Sequence, residues 1–96
     1  MQDKNKYMEK FKIKLAQWST EIDRLEAKAR KAEADARNRY ENEILKLREY
    51  YAEAEQRYND IQKSTKEGWY ELKQDAEVAL NKFKELIDDY RKRNDS

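Results

Sequence analysis

The chain contains no cysteine, no histidine and no proline, and its only glycine is Gly68. The absence of cysteine excludes disulfide and thiolate chemistry, and the absence of histidine removes the usual general base and the commonest metal ligand. With a single glycine there is also no glycine-rich loop to hold a phosphate group. We therefore predict that the chain is not an enzyme and that it binds no cofactor and no metal ion.

The charges of the chain are almost balanced, with 22 lysine and arginine residues against 21 aspartate and glutamate residues. A net charge of +1 gives the chain no overall attraction for nucleic acid or for an acidic membrane. No apolar run approaches the length of a transmembrane helix, and residues 1–20 lack the apolar core of a signal peptide. These features predict a cytoplasmic protein.

Apolar residues recur along the chain with the spacing of an α-helix, at an average separation of about 3.6 residues. No segment alternates with the two-residue period of a β-strand. The chain is 45% charged, and its Ala, Glu, Lys, Leu and Arg content is typical of long helices. We predict an all-α fold in which long amphipathic helices form a coiled coil or a helical hairpin, as a single domain over residues 1–96.

The segment KSTKEGWYELK, residues 63–73, is the weakest point of the helical pattern. Ser64 and Glu67 have the S-x-x-E spacing of a capping box, and Gly68 costs a helix about 1 kcal/mol relative to alanine. We predict one helix over about residues 3–62, a hinge over about 63–67, and a second helix over about 66–93. The alternative is one continuous helix, because the apolar stripe passes through the hinge without losing its phase.

The first part of the apolar stripe follows an unbroken heptad pattern, with alternating steps of four and three residues. If the second helix folds back on the middle of the chain, this first part overhangs and needs a partner helix to bury it. We therefore predict a homo-oligomer. Its interface is assigned to Phe11, Leu15, Trp18, Ile22, Leu25, Ala29, Ala32 and Ala36.

The stripe continues through the middle and the end of the chain, where aromatic residues are frequent. Large aromatic side chains suit the wide contact that a fold-back would create. We assign to helix packing Tyr40, Ile44, Leu47, Tyr51, Tyr58, Ile61, Trp69, Leu72, Ala76, Phe83, Leu86 and Tyr90.

Three other functions are weighed against self-assembly. Acids such as Glu21 and Asp88 could form a carboxylate site, but they stand in a highly charged, solvated context without Glu-x-x-His. The mixture of aromatic and basic residues in YMEKFKIK could stack on single-stranded nucleic acid, although Phe11 lies on the apolar stripe. The amphipathic segment over residues 68–90 could lie on a membrane surface, but its acidic residues cancel its basic ones. The membrane-binding protein is kept as the alternative function.

Two segments, WSTEIDRLEAKARKAEADA (18–36) and GWYELKQDAEVALNKFKEL (68–86), together resemble a family of small bacterial coiled-coil proteins. That family is described as stress-response proteins after a cyanobacterial member. The resemblance covers most of the chain and includes a tryptophan in each segment. It implies a cytoplasmic, non-enzymatic protein associated with stress, and it supplies no binding residue. We expect a structural or interaction protein that self-assembles and that has a protein partner still to be identified.

Overall fold

The computed structural model describes residues 2–65 and 67–95, with side chains over 4–65 and 67–92. This part of the chain forms three α-helices and no strand, which confirms the all-α prediction. The helices run up, down and up in a bundle that measures 50 × 18 × 17 Å. Their bounds are Gln2–Lys31 for α1, Ala34–Lys63 for α2 and Trp69–Asp95 for α3.

The prediction of one helix over residues 3–62 is wrong, because the chain reverses direction at Ala32 and Glu33. Glu33 is extended, with φ −68° and ψ 161°. The Arg37 guanidinium then satisfies carbonyl groups at the end of α1, since its Nε donates to Ala29 O at 3.3 Å and one terminal nitrogen donates to Ala32 O at 3.2 Å. Burial of the α1 stripe against α2 offsets the loss of helical hydrogen bonds.

The second reversal lies where the hinge was predicted, between Lys63 and Trp69. Lys66, within that hinge, lies outside the described residues. The capping residue differs from the prediction, because the Gly68 amide donates to Thr65 Oγ1 at 3.1 Å. Ser64 instead ends α2, where its hydroxyl donates to Ile61 O at 2.6 Å. The helix start is therefore capped one residue later than the S-x-x-E pattern indicates.

Six of the eight residues assigned to an oligomer interface lie in or against the core of the single chain, so that assignment is corrected. Phe11 is 1% exposed, because α2 and α3 both cover α1 along the bundle. The stripe that was expected to overhang is thus covered by the chain's own helices, and the reason for predicting self-association no longer holds. The five buried members are Phe11, Leu15, Ile22, Leu25 and Ala29. The three half-buried members are Trp18, Ala32 and Ala36.

The residues assigned to helix packing do lie between the helices. The seven buried ones are Ile44, Leu47, Ile61, Trp69, Ala76, Phe83 and Tyr90. The five half-buried ones are Tyr40, Tyr51, Tyr58, Leu72 and Leu86. Tyr7 and Met8 join the same core and were missed, because the stripe was counted only from Phe11 onward. Two clusters of buried side chains fill the bundle, one around Phe11 and Ile61 and the other around Leu47 and Phe83.

Candidate interaction groove

One of the three seams between the helices is wider than the others. Cα atoms of α2 approach those of α1 and of α3 within 8 Å along much of the bundle, whereas α1 and α3 do so at most at isolated positions. Aromatic rings span the wide seam, since Trp18 stacks on Phe83 with ring centroids 4.4 Å apart and Tyr7 meets Trp69 at 5.9 Å. These pairs show that α1 and α3 run parallel and are held apart by large side chains.

The wide seam is open to solvent as a groove, which we call the α1/α3 groove. Its central hollow has a volume of about 590 Å³, and Trp18, Leu80 and Ile87 form its apolar floor. Smaller hollows of about 210 Å³ and 250 Å³ continue it toward the Tyr7 end and the Tyr90 end. The groove therefore follows the length of the bundle.

The rim of the α1/α3 groove is basic on both sides. Seven lysine or arginine residues line its three hollows, against three acids. The groove thus has an excess of four positive charges, while the whole chain has a net charge of only +1. The basic residues are Lys10, Lys14, Arg24 and Lys28 on α1 and Lys73, Lys84 and Arg91 on α3, and the acids are Glu21, Glu77 and Asp88.

An ion pair crosses the groove between its central hollow and the Tyr90 end. Arg91 donates to Glu21 at 2.7 Å, and Arg24 lies 3.7 Å from the same carboxylate. The guanidinium groups are more than half exposed, so such pairs stabilise a fold by at most about 1 kcal/mol. Glu21 is therefore the acid of the rim whose charge is already compensated.

The Tyr7 end of the groove combines aromatic rings with opposite charges. Lys73 Nζ lies 5.2 Å from the centre of the Tyr7 ring and 5.5 Å from that of Trp69, within the range of cation–π attraction. The Tyr7 hydroxyl is buried and makes no hydrogen bond of normal geometry. Burial, and then the nearby charge of Glu77, raise the pKa of Tyr7 well above its ordinary value.

A second hollow, of about 640 Å³, lies between α1 and α2 near the first reversal. Three of its five charged groups have partners among the described residues. Arg37 donates to the carbonyl groups that end α1, and Arg48 pairs with Glu26. This hollow thus adjoins the first turn of the chain, whereas the α1/α3 groove follows the length of the bundle.

Of the acids that could have formed a catalytic pair, Glu21 and Asp88 line the same hollow, but they differ in their surroundings. Glu21 is half-buried and bound by arginines, while Asp23, Asp88 and Asp89 are exposed. Among the described residues no cluster of three acidic, histidine or cysteine side chains could hold a metal ion. Within the same residues, no helix has the length and apolar character needed to cross a bilayer.

The α1/α3 groove could not have been found from the apolar pattern alone. Trp18 and Leu80 were counted on the stripe, but sequence spacing does not show that the helices carrying them become parallel neighbours. The signal that was present is the lysine-rich start of α1, where Lys10 and Lys14 later line the groove. No family model, no curated protein and no solved structure matches the chain. The resemblance to stress-response coiled-coil proteins therefore stays a prediction.

Proposed function

We propose that the chain is a non-enzymatic interaction protein that binds an α-helix of a partner protein in the α1/α3 groove. The observation that carries this proposal is the open α1/α3 seam, where the half-buried Trp18 lies at the base of a hollow that none of the described helices covers. A helix laid antiparallel to α1 and α3 would extend the up-down-up order to that of a four-helix bundle. The partner would cover the exposed part of Trp18, whereas Leu80 and Ile87, each 4% exposed, are already buried by the chain.

The floor of the groove is apolar, as recognition of an amphipathic helix requires. A bound helix inserts apolar residues spaced three, four and seven positions apart. Leu80 and Ile87 are one heptad apart on α3, and Trp18 faces them from α1 in the same hollow. Trp18 is only half-buried, so its indole keeps surface that a partner could cover.

A second copy of the chain is a poorer occupant than a different protein. The apolar stripes of all three helices are used inside the bundle. The large hydrophobic side chains that are exposed in the described residues are scattered, one or two to a helix, so no outer face offers a stripe to the groove. They are Ile13, Leu45, Tyr70 and Val78.

The membrane-binding alternative would require the bundle to open. On α3, Trp69 is 5% exposed and Phe83 is fully buried, and these are the side chains that a membrane-bound helix would have to insert. Release of α3 would expose the stripes of the other two helices at the same time. We therefore rank a membrane surface below a partner helix as the binding target of the chain. A role in stress rests on the sequence resemblance alone.

Site-specific photocrosslinking tests the proposed function. A photoreactive phenylalanine at Asn81, in the groove, is compared with one at Asn42, an exposed residue of α2, in extract of the source cells. We expect a crosslinked product from position 81 that is absent from position 42, with the attached peptide lying in an amphipathic helix of another protein. A product made of two copies of the chain, or none specific to position 81, would contradict the proposal.

A further inference from the structure

We propose that the helix bound in the α1/α3 groove carries acidic side chains on both sides of its apolar stripe. The inference rests on the proposed function, since it requires the groove to bind a helix. It identifies the partner by chemistry, as an acidic amphipathic helix rather than a basic or neutral one. The observation behind it is the distribution of charge along the two walls.

Both walls of the groove hold more basic than acidic residues, four against one on α1 and three against two on α3, and acids on each flank of a bound helix would complement them. Lys14 on α1 and Lys84 on α3 line opposite sides of the central hollow. Within the described side chains, neither lysine takes part in an ion pair. A helix with acids on its flanks would place a carboxylate near each ammonium group while its apolar stripe covers the half-buried Trp18.

The length of the basic walls sets the length of the partner segment. Lys10 lies at one end of the α1 wall and Lys28 at the other, so the wall extends for about 27 Å at 1.5 Å per residue. A partner helix of about 18 residues would therefore meet basic side chains at its two ends and, at Lys84, near its middle. A basic helix of that length would place like charges opposite these side chains.

Single-stranded nucleic acid fits the groove less well than a helix, although it is also negatively charged. Binding of single strands depends on aromatic faces on which bases can stack. In the central hollow the Trp18 ring already stacks on Phe83 at 4.4 Å, and Phe83 is fully buried. At the Tyr7 end, Tyr7 and Trp69 contact each other and Lys73 lies over both rings.

Fluorescence anisotropy with two labelled synthetic peptides tests the inference. Both are 18-residue helix formers with leucine at heptad-spaced positions, and the flanking positions hold glutamate in one and lysine in the other. We expect the glutamate peptide to bind the full chain at least tenfold more tightly at low salt, with the difference shrinking as salt rises. A glutamate peptide with a central proline serves as the control for helical binding.

Charge reversal locates the binding site. Lys14→Glu combined with Lys84→Glu should weaken binding of the glutamate peptide at least tenfold. Lys46→Glu combined with Lys82→Glu makes the same change in net charge on exposed residues that do not line the groove, and should change binding less than twofold. Circular dichroism on all variants confirms that these exposed substitutions leave the bundle folded.

The remaining outcomes separate this inference from the proposed function. If the lysine peptide binds as tightly as the glutamate peptide, and the groove photocrosslinker labels both, the inference about charge is wrong while helix binding stands. If neither peptide binds and a labelled single-stranded RNA does, both proposals are wrong. If the outer pair of lysine variants weakens binding as much as the groove pair, the acidic peptide binds elsewhere and the inference fails.

Discussion

The close seams on either side of α2 and the wide seam between α1 and α3 differ in how near the helix backbones come, although aromatic pairs cross all three. Small residues such as Ala54 and Ala76 are fully buried in the core and allow backbones to approach. In the wide seam, Trp18 and Phe83 fill the distance between two parallel helices. The helix α2 therefore holds the bundle together, whereas the α1/α3 seam is closed at its base and leaves a groove at the surface.

Removal of the Phe83 ring, which contacts both of the other helices, should have the largest effect on the stability of the bundle. Phe83 is fully buried, stacks on Trp18 of α1 and meets Tyr51 of α2 at 6.3 Å. Phe83→Ala should lower the free energy of unfolding in urea by about 3 to 5 kcal/mol, because it removes apolar contacts and leaves a cavity. Val78→Ala, at a position 54% exposed on the same helix, should change it by less than about 0.5 kcal/mol. Equal losses in both variants would mean that α3 does not pack as described.

Enlargement of a side chain should distinguish a close seam from the wide one. Ala54→Leu forces extra volume into a fully buried position and should cost about 1 to 3 kcal/mol in urea unfolding. Gln17→Trp, on the exposed rim of the α1/α3 groove, should cost less than about 0.5 kcal/mol because the groove has room for the larger side chain. A large cost at position 17 would show that the wide seam is packed as tightly as the others.

Alkaline pH should lower the part of the stability that depends on Tyr7, at one end of the groove. Because burial and Glu77 raise the pKa of Tyr7 in the folded chain, the unfolded chain loses this proton first, from about pH 10. The stability that depends on the protonated tyrosine is complete below pH 10 and is lost as pH rises toward the folded-state pKa. Tyr7→Phe should therefore become more stable relative to the unchanged chain as pH increases above 10 in thermal unfolding experiments. Parallel curves for the two chains would mean that the Tyr7 hydroxyl is solvated.

Loss of the ion pair that crosses the groove should have the smallest effect on the stability of the bundle. Arg91→Ala removes the contact with Glu21, but the arginine side chain is 54% exposed, so the free energy of unfolding should fall by less than about 0.5 kcal/mol. The loss should disappear in high salt. A loss above about 2 kcal/mol would show that the pair, and not the aromatic rings, holds α1 against α3.

The sequence allowed the helical class, the turn near Gly68 and most of the core to be predicted. Apolar spacing identified Leu47, Phe83 and other buried positions because a helix places such residues on one face whatever it packs against. The spacing failed at Ala32 and Glu33 for the same reason. The stripe keeps its helical phase through the reversal, and no glycine or proline marks it.

Local sequence is enough to show that the chain is helical, where its apolar faces lie and that it contains no cysteine and no histidine. The tertiary contacts are needed to show that the first stripe is covered by the same chain and that α1 and α3 are parallel neighbours. The physical reason is that helix formation depends on neighbours three and four residues apart, whereas the choice of what covers a stripe depends on residues far along the chain. The groove between Trp18 and Leu80 results from these contacts between distant parts of the chain.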